Sequence, residues 1–335
     1  MALLSATGTP TVHTRPAGGL LVMGSAVSVV LMFAVATTAP LATVVLGLIA
    51  CGVLHHVVEY RYLAARFAGL FSPIVWGLIG LLILGIVIAR AQMVPYPAQF
   101  EIALGYLVLT VGAHWGLAGR RRVVVLALVA VAAAASLTFP AWHFVVLTHL
   151  HNVLPVLFVW EWSRRFSPAL RRGLLTVQLS WVVVLPMLIL FGALDGLLNP
   201  DPGLVAGFVD GARVIDLHAP PEASTMVGTR FLTMFALMQS MHYVTWLVLM
   251  PLLTPGVTAR ANRAVPALRG VRLWWLGLGL AGLLAVVFVL DWFEGRSLYA
   301  LLASYHAYLE LPVLVAVLCA GRQPRPRAAA GACDT

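Results

Sequence analysis

AWHFVVLTHLHNVLPVLFVWEW, residues 141–162, has the length and apolar content of a bilayer-crossing segment, yet it carries His143, His149, His151, Asn152 and Glu161. About 20 apolar residues suffice to cross hydrocarbon as a helix, the form that satisfies every backbone hydrogen bond internally. Polar groups at that depth are costly, so these side chains either satisfy one another or hold something. Helix geometry limits what the segment does alone. At about 3.6 residues per turn, His149 and His151 point roughly 200° apart and cannot both reach one site unless Pro155 bends the helix. The site therefore has to be shared with other helices. Trp160 and Trp162 near the end fit an interfacial anchor.

The rest of the chain has the same character. It is 61% hydrophobic and only 10% charged over 335 residues, far from soluble-domain composition. The expected fold is an all-α, polytopic integral membrane bundle of about ten transmembrane helices. The spans fall near 19–37, 41–60, 71–90, 101–119, 122–139, 142–163, 173–197, 229–253, 272–291 and 299–320. TTAPLAT and LTFPAW are the weakest boundaries, because proline either ends a helix or kinks it; a count of eight or nine is the alternative. Residues 1–18 read as a cytoplasmic N-terminal tail, 19–320 as the membrane domain with an outer loop at 198–228, and 321–335 as a disordered cytoplasmic tail. Within the loop, GLVAGFVDGARVIDL is expected to form a short surface helix.

All 21 basic residues are arginine, which argues against a lysine Schiff base. With ten spans and both termini inside, 17 of the 21 fall on the inner side, leaving Arg90, Arg213, Arg230 and Arg296 outside. That asymmetry is the positive-inside pattern. It accounts for the +9 net charge without a nucleic-acid partner, and it predicts a multi-pass protein of the cell inner (cytoplasmic) membrane.

Eight of the ten histidines lie in spans: His55, His56, His114, His143, His149, His151, His242 and His306. They occupy the second, fourth, sixth, eighth and tenth spans only. Judged from the next arginine, His55, His56 and His114 stand about 8 Å from the inner boundary, with His149, His151, His242, His306 and Glu310 nearer the middle. These depths fit two layers, or one elongated or two-metal centre. His55 and Glu59, and His306 and Glu310, repeat an i, i+4 spacing that supplies two ligands, or one ligand with an orienting carboxylate. Gln239, His242, Tyr243 and Trp246 form one stripe. Glu161 beside Arg164 and Arg165 reads as an interfacial ion pair, and Asp291, Glu294 and Arg296 as solvated groups.

Histidines and carboxylates without a cysteine cluster suit iron, copper or zinc. The expected metal ligands are His56, His114, His151, His242 and His306. His55 is an equal alternative to His56, and His149 to His151. Glu59 and Glu310 serve as ligands or orienters, His149 and Gln239 as cofactor-binding residues, and Tyr243, Tyr305 and Glu310 as catalytic groups near bound oxygen. The function that fits is an iron-dependent (non-haem) oxygenase taking dioxygen and a lipophilic terpenoid, carotenoid or acyl substrate, with an electron donor as a further partner. The alternatives are a dicopper site, a membrane haem b protein for electron transfer or gas chemistry, and a metal-ion or proton-coupled transporter. As an all-helical membrane chain with several intramembrane histidines, it resembles in broad kind the bacterial Brp/Blh-type carotene-cleaving oxygenases. That resemblance implies non-haem iron and a carotenoid substrate.

Overall fold

The computed structural model describes residues 15–199, 203–207 and 209–320. The expected C-terminal tail and most of the N-terminal one lie outside the described residues. Residues 15–18, expected in the N-terminal tail, are the first turn of a helix.

Among the described residues there is no strand. The long helices are α1 (Arg15–Thr38), α2 (Pro40–Phe67), α3 (Pro73–Arg90), α4 (Pro97–Gly116), α5 (Gly119–Thr138), α6 (Pro140–Ser163) and α7 (Pro168–Leu190). After a short α8 (Gly211–Asp216) come α9 (Thr225–Leu253), α10 (Pro255–Ala264), α11 (Val271–Leu290) and α12 (Trp292–Ala320). Nine of these are long and apolar enough to cross a membrane, which points to a multi-pass membrane protein. The expected fourth span is the difference. Helix α4 forms at full length, but Gln99, Glu101 and His114 lower its hydropathy below that of the other nine.

Proline placement settles the weak boundaries. Pro40 and Pro140 sit in the first turn of α2 and α6, where a missing N–H costs nothing because that donor has no intrahelical partner. Each therefore starts a new helix rather than kinking an old one. Ser72, Ser167 and Ser224 cap α3, α7 and α9 by accepting a backbone N–H three residues on. Helices α7 and α9 each contain one π-helical turn, Ser180–Val184 and Thr245–Leu249, a local widening often found at functional sites.

Three spans differ from expectation in ways that matter for the site. Helix α2 continues past Arg61 to Phe67, so the first arginine does not mark its end. Arg61 instead turns to Asn262 of α10, and Arg66 pairs with Glu161. This places His55 twelve residues, or about 18 Å, from the helix end, and the expected separate inner layer disappears. Helix α12 begins seven residues before the expected 299, because the Asp291 carboxylate accepts the N–H groups of Phe293 and Glu294. Arg296 thereby becomes part of a helix face. Helix α7 stops at Leu190, where Phe191 leaves helical geometry and Gly192 takes φ +79°.

The connection between α7 and α9 is less helical than expected. Asp210 caps α8 at its start, so the helix in GLVAGFVDGARVIDL covers only 211–216, with a single 3-10 turn at 203–205. The connection is tied down by Arg230 on Asp195, at 2.5 Å.

Helix α2 lies inside the bundle against α9, α10, α11 and α12, while α12 also packs on α3, α4 and α6. Helix α5 buries none of its residues and belongs to the outer surface. The α4–α12 contact depends on the lack of a side chain at Gly112. A Cβ there would stand 2.4 Å from the Pro312 Cβ and 2.8 Å from its Cα, backbone that cannot give way easily. Gly112→Ala is expected to destabilise the fold by about 1–3 kcal/mol, read as a lower melting temperature in detergent. An unchanged melting temperature would show that the two helices separate freely.

Candidate metal centre

Five imidazoles and two carboxylates from four helices meet in the middle of the bundle. Helix α2 supplies His55, His56 and Glu59; α6 supplies His151; α9 supplies His242; α12 supplies His306 and Glu310. All but the half-buried His151 are buried. Neighbouring ring centroids stand 4.2 to 5.1 Å apart across the group. The i, i+4 spacing of His55 with Glu59 and of His306 with Glu310 puts each pair on one helix face, and the packing turns those faces toward each other.

The ring edges are sorted. The His306 Nε2 lies 2.6 Å from the His151 Nε2 and 3.4 Å from the His55 Nε2. Their opposite edges face acceptors. His55 Nδ1–H donates to the Cys51 carbonyl at 3.0 Å, His306 Nδ1 meets Glu59 Oε2, and His151 Nδ1 lies 3.4 Å from Glu310 Oε2. Each ring is thus oriented from behind, and the His306 Nε2 faces the Nε2 of the other two. Histidines that bind metals are held in this way, the far nitrogen backed by a carboxylate or carbonyl. Ligands about 2.1 Å from one ion stand roughly 3 Å from each other, which the two Nε2 separations bracket.

The donors fall into two overlapping groups, His55, Glu59, His242 and His306, and His151, His306 and Glu310, each with ligand atoms within 4.8 Å. His306 belongs to both. Both nitrogens of His242 and both oxygens of Glu59 and of Glu310 are buried without a well-aligned hydrogen bond. Buried polar atoms that are poorly paired are costly, and a cation shared among them lowers that cost. The cluster can therefore bind a metal. Pro155 contributes from behind: it has no N–H for the His151 carbonyl, and the His242 ring lies beside that free oxygen.

The structure does not bring every expected residue into this cluster. His114 is exposed on α4 and contacts Trp115, because the α4 face that packs on α12 carries Gly105, Gly112 and Gly116 instead. His149 points away from His151, as the helix angle requires, and sits between Phe231 and Phe235 with Nδ1–H on the Val145 carbonyl. Tyr305 is exposed on the outside of α12. Tyr243 is buried with its ring 4.8 Å from His55, and its hydroxyl accepts from Gln239 at 2.8 Å. Sequence reasoning missed Tyr299, whose hydroxyl lies 3.2 Å from His56 Nε2. The signal was its i, i+7 spacing to His306, which an expected helix start at 299 obscured. Glu161 pairs chiefly with Arg66 of α2, at 2.7 Å, and only distantly with Arg165, at 3.9 Å.

A cavity of about 540 Å³ leads from the cluster toward the end of the bundle that carries the α7–α9 connection. Arg90, Glu101, His218 and Arg296 stand at that end, and His55, His151, His242 and His306 at the other. On the far side of the histidines, Tyr62, Phe158 and Trp246 pack ring against ring at 5.4 to 6.3 Å and close the bundle. A second cavity of about 400 Å³ between α4, α5 and α6 shares Leu147 and His151 with the first.

His218, outside the spans, is buried over the first cavity with Nδ1–H on the Val214 carbonyl. Burial, assisted by the nearby Arg296 charge, lowers its pKa to about 3. In the unfolded connection the ring titrates near 6.5. Its contribution to folding is therefore complete above about pH 6.5 and is lost progressively as pH falls toward 3. Hydrogen exchange in residues 211–218, corrected for the intrinsic pH effect, is expected to quicken between pH 7.5 and pH 5. A constant corrected rate would contradict this.

Compared with known protein families, curated proteins and solved structures, the chain matches none, so the resemblance in architecture has no matched family behind it and the site's own geometry carries the functional reading.

Proposed function

We propose that this chain is a multi-pass protein of the cell inner membrane, with both termini inside, that works as a histidine-ligated iron oxygenase on a lipophilic substrate. The observation that carries the reading is the approach of the His55 and His151 Nε2 atoms to the His306 Nε2, each ring backed by an acceptor. His55, His242 and His306 would hold the metal, with His151 sharing His306 in the second donor group and Glu59 and Glu310 holding the rings. Iron bound there would supply the one-electron chemistry that directs dioxygen at a hydrocarbon chain.

The remaining residues have separate tasks. Glu59 and Glu310 keep the Nδ1 protons of His306 and His151 in place and fix both rings. The Tyr62, Phe158 and Trp246 cluster excludes water from one side, and the cavity admits substrate from the other. Tyr243, held by Gln239, and Tyr299, on His56, place two phenolic hydroxyls beside the histidines for proton donation.

Non-haem iron is favoured over haem because each of the five rings packs within 5.1 Å of at least two others, which leaves no planar slot for a macrocycle between them. The overlap of two donor groups on His306 favours a two-metal variant as the second reading. The aromatic closure argues against a transport path.

Metal analysis with an absorption spectrum on detergent-purified protein tests the proposal. One iron per chain without a Soret band is expected, two metals support the second reading, and a stoichiometric Soret band or persistent absence of metal overturns the non-haem site.

A further inference from the structure

One face of α12 runs the length of the larger cavity. Arg296, Tyr299, Ala300, Ala303 and His306 all line it, at spacings of 3, 4, 7 and 10 residues, which keep to a single helical stripe. Arg296 and His306 are thus about 15 Å apart along the axis. Between them the two alanines leave a channel where larger side chains would fill it.

The charges at the Arg296 end do not balance. Arg90 is engaged, with Nε and Nη2 on Glu101 Oε1 and Nη1 on the Ala300 carbonyl. The same Glu101 oxygen also accepts the Tyr308 hydroxyl. Asp291, the nearest acid before Arg296 on the chain apart from exposed Glu294, is occupied as the α12 cap. No carboxylate among the described residues pairs with Arg296, and Arg90, which lines the same cavity, adds a like charge. An unpaired guanidinium on the wall of an otherwise mostly apolar cavity is costly, and such groups mark ligand sites.

We infer that the cavity takes an anionic amphiphile, its carboxylate or phosphate head on Arg296 and its aliphatic chain along Ala300 and Ala303 to the histidine cluster. This rests on the cluster being the reacting end. It narrows the substrate class from any lipophilic molecule to a long-chain acid or alkyl phosphate, and it excludes an uncharged hydrocarbon as the best ligand. Arg296 fixes the head, and the helix length sets which carbon reaches the histidines.

Binding can be measured on the full chain in phosphatidylcholine nanodiscs, using palmitate, hexadecyl phosphate and hexadecanol, which share one chain length. At least one of the two anions is expected to bind about tenfold or more tighter than hexadecanol, and the tighter anion identifies the head group. Arg296→Gln is expected to erase that preference, Arg296→Lys to keep most of it, and Ala303→Phe to weaken all three ligands. Equal binding of anions and alcohol to the wild type, or a preference surviving in Arg296→Gln, overturns the inference. Metal content of the same samples decides the oxygenase reading separately. A metal-free wild type that still prefers the anion removes the oxygenase and keeps the head-group site.

Discussion

His306→Ala is expected to reduce bound metal from stoichiometric to background, the largest functional effect of any single substitution in this chain. His306 is the one ring common to both donor groups, with its Nε2 facing His151 and His55 and its Nδ1 against Glu59. Its removal takes a ligand from either arrangement of metals and leaves the Glu59 carboxylate buried without its partner. Glu59→Gln and Glu310→Gln act from behind the ligands, and each is expected to weaken metal binding by about 10- to 100-fold. His114→Ala and Tyr305→Phe serve as controls, since both side chains are exposed away from the cluster. Elemental analysis and titration with iron measure all five variants. Full metal occupancy in His306→Ala would remove the centre as described. Loss in His114→Ala would mean that α4 turns a different face inward.

Glu161→Ala should give the largest loss of stability. Its carboxylate accepts from Arg66 at 2.7 and 2.9 Å, and both side chains are less than 10% exposed. Removing one partner of a buried pair strands the other charge at a cost of about 3–5 kcal/mol. Removing the acid is the worse of the two choices. It leaves Arg66 buried with Arg165 close to the same carboxylate position, whereas Arg66→Ala leaves Glu161 with Arg165 still 3.9 Å away. The double change Arg66→Met with Glu161→Leu, which removes both charges and fills the space, is expected to recover most of the loss. Thermal unfolding in detergent distinguishes these cases. A double variant no more stable than Glu161→Ala would show that the pair holds α2 to α6 by geometry rather than by balancing buried charge.

Much of the architecture was legible in the chain itself. The apolar runs gave the helices, and proline in a first turn together with Ser caps gave their starts. The angle between His149 and His151 follows from helix geometry alone and holds in the structure. Two local features misled. Arg61 looked like the end of a span because arginines gather at membrane boundaries, yet α2 continues and buries Arg66 against Glu161. Arg296 looked solvated because the last helix was expected to start at 299, yet exposed Asp291 caps α12 seven residues earlier and so brings Arg296 and Tyr299 onto the cavity wall. The first error concerns a polar residue whose partner lies elsewhere in the chain, and the second a helix start set by a local cap.

By itself, then, the sequence determined the class of the protein: an all-helical chain with apolar segments of spanning length and too many buried histidines to be idle. Those properties are local, set by hydropathy over about 20 residues and by the 3.6-residue turn. Only the tertiary structure decided which histidines meet. His55 rather than His114 joins His151, His242 and His306 because α2 is enclosed by α9, α11 and α12, while glycines, not histidine, line the α4 face against α12. A helix presents residues all round its axis, and its sequence does not say which side its neighbours will cover. That choice is made by packing between segments as much as 251 residues apart.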